Sequence, residues 1–316
     1  MAKYDFTLEL VSPAFIAGTD KARPEMRASS IRGHLRYWGR ALLGATITDS
    51  KKLYEQESKA FGSTEEGSKF TLLVLPRSFN QEAKPVTVAM LPHKSGRERS
   101  ETKALRKDPR GEDLVYNLSL IWRPGQPVSG QVLTSLKIWS LLGGLGRRSR
   151  RMFGAVSIQP KKDTPAQEEW YELPKSPDEL ATTIRSLLSQ TVKADDKLKD
   201  HTPDFPTLHP NHSWIIVGKR AYAKDDYESA VIDLFSELLR KDEFRKKEQT
   251  FGYTAGPNKR RASTVHVQLR LINGQLYPVL TALRSKPDRD IDWKHLASFM
   301  RAAEDYFESE TVWGGW

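Results

Sequence analysis

The sequence contains no cysteine. Disulfides and cysteine-ligated zinc are therefore excluded, and the absence suits a reducing, cytoplasmic setting. No apolar run is long enough to span a bilayer. The opening Met1-Ala2-Lys3-Tyr4-Asp5 leads straight into strand-like alternation rather than a signal peptide, so no membrane partner is expected. Acidic residues are missing between Glu25 and Asp49, between Asp113 and Asp163, and between Glu248 and Asp288. Solvated faces usually mix both signs, so long acid-free basic windows point to one continuous positive surface. The chain also lacks a Gly-Lys-Ser/Thr phosphate loop, a Ser/His/Asp arrangement and a paired carboxylate cluster. Nucleotide cofactors and the commonest hydrolytic sites lose their usual signatures with them.

Basic residues are what the chain has in excess. Fifty Lys+Arg against 40 Asp+Glu leave a net charge of +10 over 316 residues. Residues 1–160 carry 26 basic and 15 acidic side chains, a balance of +11, whereas residues 161–316 carry 24 and 25, a balance of −1. All the excess lies in the first half. The length fits two domains.

The densest concentration is Gly143-Gly144-Leu145-Gly146-Arg147-Arg148-Ser149-Arg150-Arg151-Met152-Phe153-Gly154. Glycines let a backbone approach a ligand closely, and arginines pair bidentately with phosphate while staying charged. The Gly144-x-Gly146 spacing resembles a nucleotide-binding turn, but such turns follow a strand and open a helix. Here an apolar helix precedes the glycines and a strand follows. A basic connector would show the same composition, but backbone amides backed by guanidinium groups fit a nucleic-acid backbone better.

Apolar periodicity outlines the elements. Phe6 to Val11 alternates as a half-buried strand, and Ser29-Ser30 stand where a helix cap is expected. Ile31, Leu35, Trp38 and Leu42 form a helical stripe ended by Gly44. Strands are predicted over Lys69 to Leu75, Leu114 to Trp122 and Phe153 to Ile158, a buried helix over Val132 to Leu142, and a mobile loop over Ser95 to Asp113. This β-α-β-β-α-β order is that of a ferredoxin-like unit. Lys161 to Pro210 reads as a break with a short helical piece around Glu179 to Leu188. Then come a strand at Trp214 to Val217, a helix at Tyr227 to Leu239, a hairpin turning at Asn273-Gly274, and a helix from Ile291 to Phe307. The second half repeats the order without a clear last strand. The expected fold is α+β, with tandem ferredoxin-like (RRM-like, βαββαβ) domains at 1–160 and 213–316 and a linker or insertion at 161–212.

Two further segments carry charge. Arg32, Arg36 and Arg40 are four apart on the first helix, so they line one side; they can reach the same anion as the loop or lie along solvent. Gly33 and Gly39 each weaken that helix by about 1 kcal/mol, which predicts a close neighbour at both. Lys259, Arg260 and Arg261 precede a strand inside an acid-free window. Tyr37, Trp38 and Phe153 can stack on bases, with core packing favoured for Trp38. His34 lies among the arginines and has the chemistry of a general base in RNA cleavage, without a partner fixed by sequence. His201, His209 and His212 match no closed zinc pattern. No metal, cofactor or catalytic set is expected.

The run Ser30-Ile31-Arg32-Gly33-His34-Leu35-Arg36-Tyr37-Trp38-Gly39-Arg40-Ala41-Leu42 resembles the N-terminal signature of the RAMP proteins of CRISPR systems, in particular the first-subunit family of type III-B Cmr effector complexes. Phe61-Gly62-Ser63 with Gly67-Ser68-Lys69 is similar to the second motif, the Gly/Arg loop to the family's glycine-rich loop, and Arg261-Ala262-Ser263 to its counterpart in the second half. Gly39 departs from a frequent second tryptophan, and Met152 from a common glycine. Residues 161–250 do not align. The resemblance implies a non-catalytic RNA-binding subunit acting in antiviral defence. It would contact CRISPR guide RNA near its 3′ end, single-stranded target RNA, or both, beside other RAMP subunits of the Cmr complex. The implied RNA contacts are Arg32, His34, Arg36, Arg40, Gly143, Gly144, Gly146, Arg147, Arg148, Arg150, Arg151, Lys259, Arg260 and Arg261. The alternative is a metal-independent endoribonuclease that matures guide RNA, with His34 as base.

Overall fold

The computed structural model describes every residue except 1, 21–22, 78–84, 96–100, 107–112, 201–202, 255–259 and 287–290. The first half contains β1 (Lys3–Leu10), α1 (Ala28–Leu43), α2 (Ser50–Phe61), β2 (Phe70–Pro76), β3 (Val86–Ala89), β4 (Glu101–Ala104), β5 (Val115–Trp122), α3 (Gly130–Leu142) and β6 (Val156–Pro160). Four of these strands form an antiparallel sheet in the order β2-β5-β1-β6. Register is set by alternation: Phe6 faces Leu118 and Leu8 faces Tyr116, and all four side chains are buried. α1 and α3 lie on that face, contributing Ile31, Leu35, Trp38, Leu136 and Trp139 to one core.

The chain continues through α4 (Ala166–Glu169) and α5 (Pro177–Thr191). α5 is longer than the helical piece predicted. Ser176 accepts from the Glu179 amide at its N-terminus, and Leu180, Ala181, Ile184 and Leu188 join the first core. The helix at 177–191 thus packs on the first core.

The second half contains β7 (Ser213–Val217), β8 (Tyr222–Ala223), α6 (Tyr227–Asp233) running into a π-helical turn (Leu234–Leu239), α7 (Asp242–Arg245), β9 (Tyr253–Thr254), β10 (Arg260–Arg261), β11 (Val265–Ile272), β12 (Gln275–Leu283), α8 (Trp293–Tyr306) and β13 (Glu310–Gly314). Its main sheet runs β11-β12-β7-β13, all antiparallel, with β8 beside β12. The hairpin turns at Asn273 and Gly274, both at positive φ. β13 is the last strand that the sequence reading lacked. It is five residues long and carries a register shift between Thr311 and Trp313, which leaves too short an alternation to read. With β13 in place, the two main sheets are wound alike.

The second sheet is covered on both faces, so its strands read as nearly continuous apolar runs. Ile215, Val217, Val279 and Leu283 face the first core; Trp214, Ile216, Val267 and Leu280 face a second core under α6 and α8. β11 alternates. Val265, Val267 and Leu269 point into the second core, while His266, Gln268 and Arg270 point toward the first half and are also buried.

Several boundaries differ from expectation. α1 begins at Ala28 with Arg27 as its cap, because the Ser30 and Ile31 amides bond to the Arg27 carbonyl. α2 interrupts the expected order; its buried stripe includes Glu57, which hides the apolar period. The loop expected over Ser95 to Asp113 contains β4, which pairs with β3 and buries Ala104. β6 starts at Val156 rather than Phe153, because Met152 and Gly154 have positive φ and cannot extend the strand. No helix among the described residues is long and apolar enough to cross a membrane.

Candidate nucleic-acid interface

The Gly/Arg loop lies in the seam between the two halves, held by β11. The Met152 amide donates to the Val267 carbonyl at 2.8 Å, and the Gln268 side chain donates to the Ser149 carbonyl. Buried Arg270 donates to the Leu141 carbonyl at 2.6 Å and the Gly143 carbonyl at 2.7 Å, groups that α3 leaves without helical partners at its end. Arg270 falls in one of the acid-free windows but is a structural cap, not part of a surface. Its burial pushes the guanidinium down to about 10.

The glycines serve this seam. A Cβ on Gly143 would overlap the Trp139 indole and stand 2.5 Å from Trp38 Nε1; one on Gly144 would meet the Gln268 amide at 2.5 Å. Gly146 has φ +87 and passes close under the Phe15 carbonyl, which accepts from the Arg147 amide. Protein packing alone requires all three to be glycine.

The arginines divide. Arg151 bonds inward, donating to the carbonyls of Arg150 and Phe251 at 2.7 Å. Burial first, then Arg148 and Arg150, push it down to about 9. Arg148 (at positive φ), Arg150 and Arg151 line a cleft of about 610 Å³ with Arg240 and Arg261, and among the described residues no acid lines it. Burial and Arg147 lower the Arg148 pKa. Arg150 lies over the Tyr37 ring, 5.3 Å from its centroid, and donates to the Ser263 carbonyl. It also lines two adjoining hollows. One, of about 480 Å³, is bounded by Ser30, Gly33, His34, Tyr37, Gly146, Arg147 and His266. The other, of about 440 Å³, reaches Lys286 and Asp204. The result is a basic groove along the seam, with walls from both halves.

α1 meets it through Gly33, His34 and Tyr37. No atom lies within 4 Å of a Cβ added to Gly33, so the neighbour expected there is absent; Gly39 has its neighbour, with Ser135 Oγ at 2.9 Å and Phe61 at 3.1 Å. Tyr37 OH and His266 Nε2 are 2.8 Å apart. The His34 ring stacks on Trp139, 5.8 Å between centroids at 8°. Burial, with Arg150 second, pushes His34 down to about 4, and His266 also lies well below its ordinary value.

The stripe of Arg32, Arg36 and Arg40 turns elsewhere. Arg32 donates to Ser68 Oγ at 2.7 Å and the Phe70 carbonyl at 3.2 Å, and lies over the Phe70 ring. Arg36 and Arg40 share the Glu57 carboxylate, whose side chain is 0% exposed. None of the three lines the cleft; α2 brings an acid into their acid-free window and makes them a brace between α1, α2 and β2.

The remaining expectations separate as follows. Trp38 and Phe153 are core residues, Phe153 against Phe15 and Tyr227, which removes Phe153 as a base platform. Arg261 lines the cleft, Arg260 lies in β10, and Lys259 is outside the described residues. His209 and His212 bond to the carbonyls of Asp195 and Leu198; His201 is outside the described residues. Among the described residues no His/Cys/Asp/Glu group suits a metal. The sequence reading missed Arg240, a single arginine at the end of an apolar helix, and the buried polar face of β11, where alternation in Val265-His266-Val267-Gln268-Leu269-Arg270 was the available signal.

Comparison with known proteins follows the same lines. Residues 7–157 match the RAMP superfamily. The CRISPR system Cmr subunit Cmr1-1 of Pyrococcus furiosus is 27% identical over 327 residues, covering 93% of this chain and 92% of that protein. Cmr1-2 of the same organism is 40% identical over 65 residues, 20% of this chain and 35% of that protein. The crystal structure of Cmr1 from Pyrococcus furiosus in its apo form superposes with a TM-score of 0.70 at 22% identity, covering 100% of both chains. A chain of the type III-B Cmr-beta complex bound to cognate target RNA gives 0.65 at 12% identity, covering 97% of this chain and 100% of that one. Both structural likenesses concern the fold.

Proposed function

This chain is a RAMP superfamily protein related to Cmr1 of the type III-B CRISPR Cmr complex, and from that premise we propose that it is an RNA-binding, non-catalytic subunit of such an effector. It holds guide RNA near its 3′ end, target RNA, or both, and works in the cytoplasm beside other RAMP subunits. We read its two like-wound sheets as ferredoxin-like folds in tandem, at 1–160 and 213–316, joined through 161–212.

The cleft of Arg148, Arg150, Arg151, Arg240 and Arg261, with no acid among its described lining residues, carries this reading. Lowered guanidinium pKa values at Arg148 and Arg151 mean that positive charge is held there against burial and mutual repulsion. A polyanion relieves both. Tyr37, the partly exposed ring of the set, lines the adjoining hollows beneath Arg150. Binding rather than cutting is supported by His34, a weak base with its imidazole held flat on Trp139.

The test is single-stranded RNA binding against salt. Replacing Arg147, Arg148 and Arg150 with Ala, while keeping the inward-bonded Arg151, is expected to weaken binding and lower the slope of log K on log salt by about 0.7 per lost phosphate contact. An unchanged slope refutes the reading. RNA cleavage in chelator that disappears in His34→Ala would replace it with the endoribonuclease.

A further inference from the structure

Of the two glycines inside α1, only one is explained by protein. Ser135 and Phe61 would crowd a Cβ on Gly39. Gly33 is exposed and helical, with no positive φ to require glycine, and nothing lies within 4 Å of where its Cβ would stand. A helix weakened at such a position gains nothing from its own packing. What the missing side chain does provide is bare backbone that another molecule can approach closely.

Gly33 borders the hollow of about 480 Å³ beside the cleft, a size within the range of small-molecule sites. Two cations line it. The Arg147 guanidinium reaches Met90 Sδ at 3.0 Å, and Arg150 donates to the Ser263 carbonyl. Among the described residues neither has an acidic partner. The rest of the lining is uncharged near neutral pH: bare backbone at Gly33 and Gly146, the Tyr37 and Trp38 rings, and the imidazoles of His34 and His266, which burial keeps neutral. Tyr37 stands one helical turn beyond Gly33 and so shares its face of α1. Its ring is fixed from two sides, by the 2.8 Å contact of its hydroxyl with His266 Nε2 and by Arg150 above it. A phosphate finds no partner on the uncharged part of this lining, whereas a flat neutral ring does.

Resting on the RNA-binding reading above, we propose that the hollow seats one nucleobase of the bound strand, its face against the bare α1 backbone at Gly33 and its edge beside Tyr37, while Arg147 and Arg150 take neighbouring phosphates. Carbon atoms in contact lie about 3.5–4.0 Å apart, so a side chain at position 33 would occupy the space of the base. Contact through a ring face accepts any base, so the seat holds the strand without reading its sequence.

The measurement compares a short oligouridylate with an abasic oligoribonucleotide of the same length, which keeps every phosphate. The native chain is expected to bind the oligouridylate at least about tenfold more tightly, the effect of one seated base. Equal affinities overturn the seat without any variant. In Gly33→Leu the preference is expected to fall about tenfold, and in the smaller Gly33→Ala by less; a preference unchanged in Gly33→Leu overturns it. Thermal melts should show Gly33→Leu no less stable than the native chain, because leucine favours the helix and meets open space. The salt slope for the oligouridylate should not change, since no phosphate contact is removed; a lowered slope would place a phosphate at Gly33 and overturn the proposal. Failure of the native chain to bind either oligonucleotide overturns the RNA reading itself, and this inference with it.

Discussion

Replacing Arg270 with Met separates a seam that is structural from one that is a ligand surface. The methionine fills much of the same space but donates nothing. The Leu141 and Gly143 carbonyls lose donors at 2.6 and 2.7 Å, and the Leu269 carbonyl loses one at 3.0 Å. A buried acceptor left unmet costs about 1–3 kcal/mol, so the gross loss over three is roughly 3–9 kcal/mol. Against this stands the relief of no longer burying a guanidinium whose pKa has fallen from 12.5 to about 10, roughly 3 kcal/mol at about 1.4 per unit. The net expectation is a loss of about 3 kcal/mol. Urea denaturation reads it as a midpoint lowered by close to 1 M for a slope near 2–3 kcal/mol per molar. RNA affinity measured well below the midpoint should fall modestly, since the loop is less firmly held, with no change in salt slope. A variant of native stability with a reduced salt slope would refute the argument, for Arg270 would then be touching phosphate.

The two glycines of α1 should respond oppositely to Ala. Gly33→Ala adds a methyl into open space and should raise stability by up to about 1 kcal/mol, whereas Gly39→Ala drives into Ser135 and Phe61 and should lower it; thermal melts of both decide. Acid should weaken the fold through His34. Its folded pKa of about 4 lies below the unfolded value of about 6.5, so its contribution is present above pH 6.5 and is lost as pH falls toward 4. The unfolding free energies from urea titrations at pH 7 and pH 5 should differ by about 2 kcal/mol from this residue, and His34→Phe should remove that share.

Regular periodicity made much of the fold legible. β1, β5 and α3 sit within a few residues of their expected bounds because their alternation or apolar stripe is unbroken. α2 was hidden because Glu57 occupies a core position that only two arginines from α1 make tenable. The same pairing misled the reading of the arginine stripe. A window free of acids along the chain need not be free of them in space, and nothing in Ile31 to Arg40 announces a carboxylate arriving from residue 57. The Gly/Arg loop was legible as a basic feature but not as a wedge. Its glycines answer to Trp139, Trp38 and Gln268, and Gln268 is a contact more than 100 residues away in sequence.

Where the groove lies follows from how the two sheets are covered. A lone RRM-like sheet presents aromatic rings on its open face for bases to stack on. The open face of the first sheet carries Asp5, Thr7, Glu9, Asn117 and Ser119 and no aromatic ring on β1 or β5, because the even-numbered rings of β1 and β5 are all turned into the core. The second sheet has no open face, being packed against both cores. Positive charge is therefore left to collect where the two units meet on the helix side. There the first half supplies Arg148 and Arg150, and the second supplies Arg240 and Arg261. Neither half alone lines that cleft. The buried polar contacts of β11 and the internal bonds of Arg151 and Arg270 hold the halves at the spacing that makes it. On the proposed reading the meeting of the two halves is itself the source of the site, and a change that loosens the seam is expected to lower stability and RNA affinity together, whereas a change at the groove wall is expected to lower affinity alone.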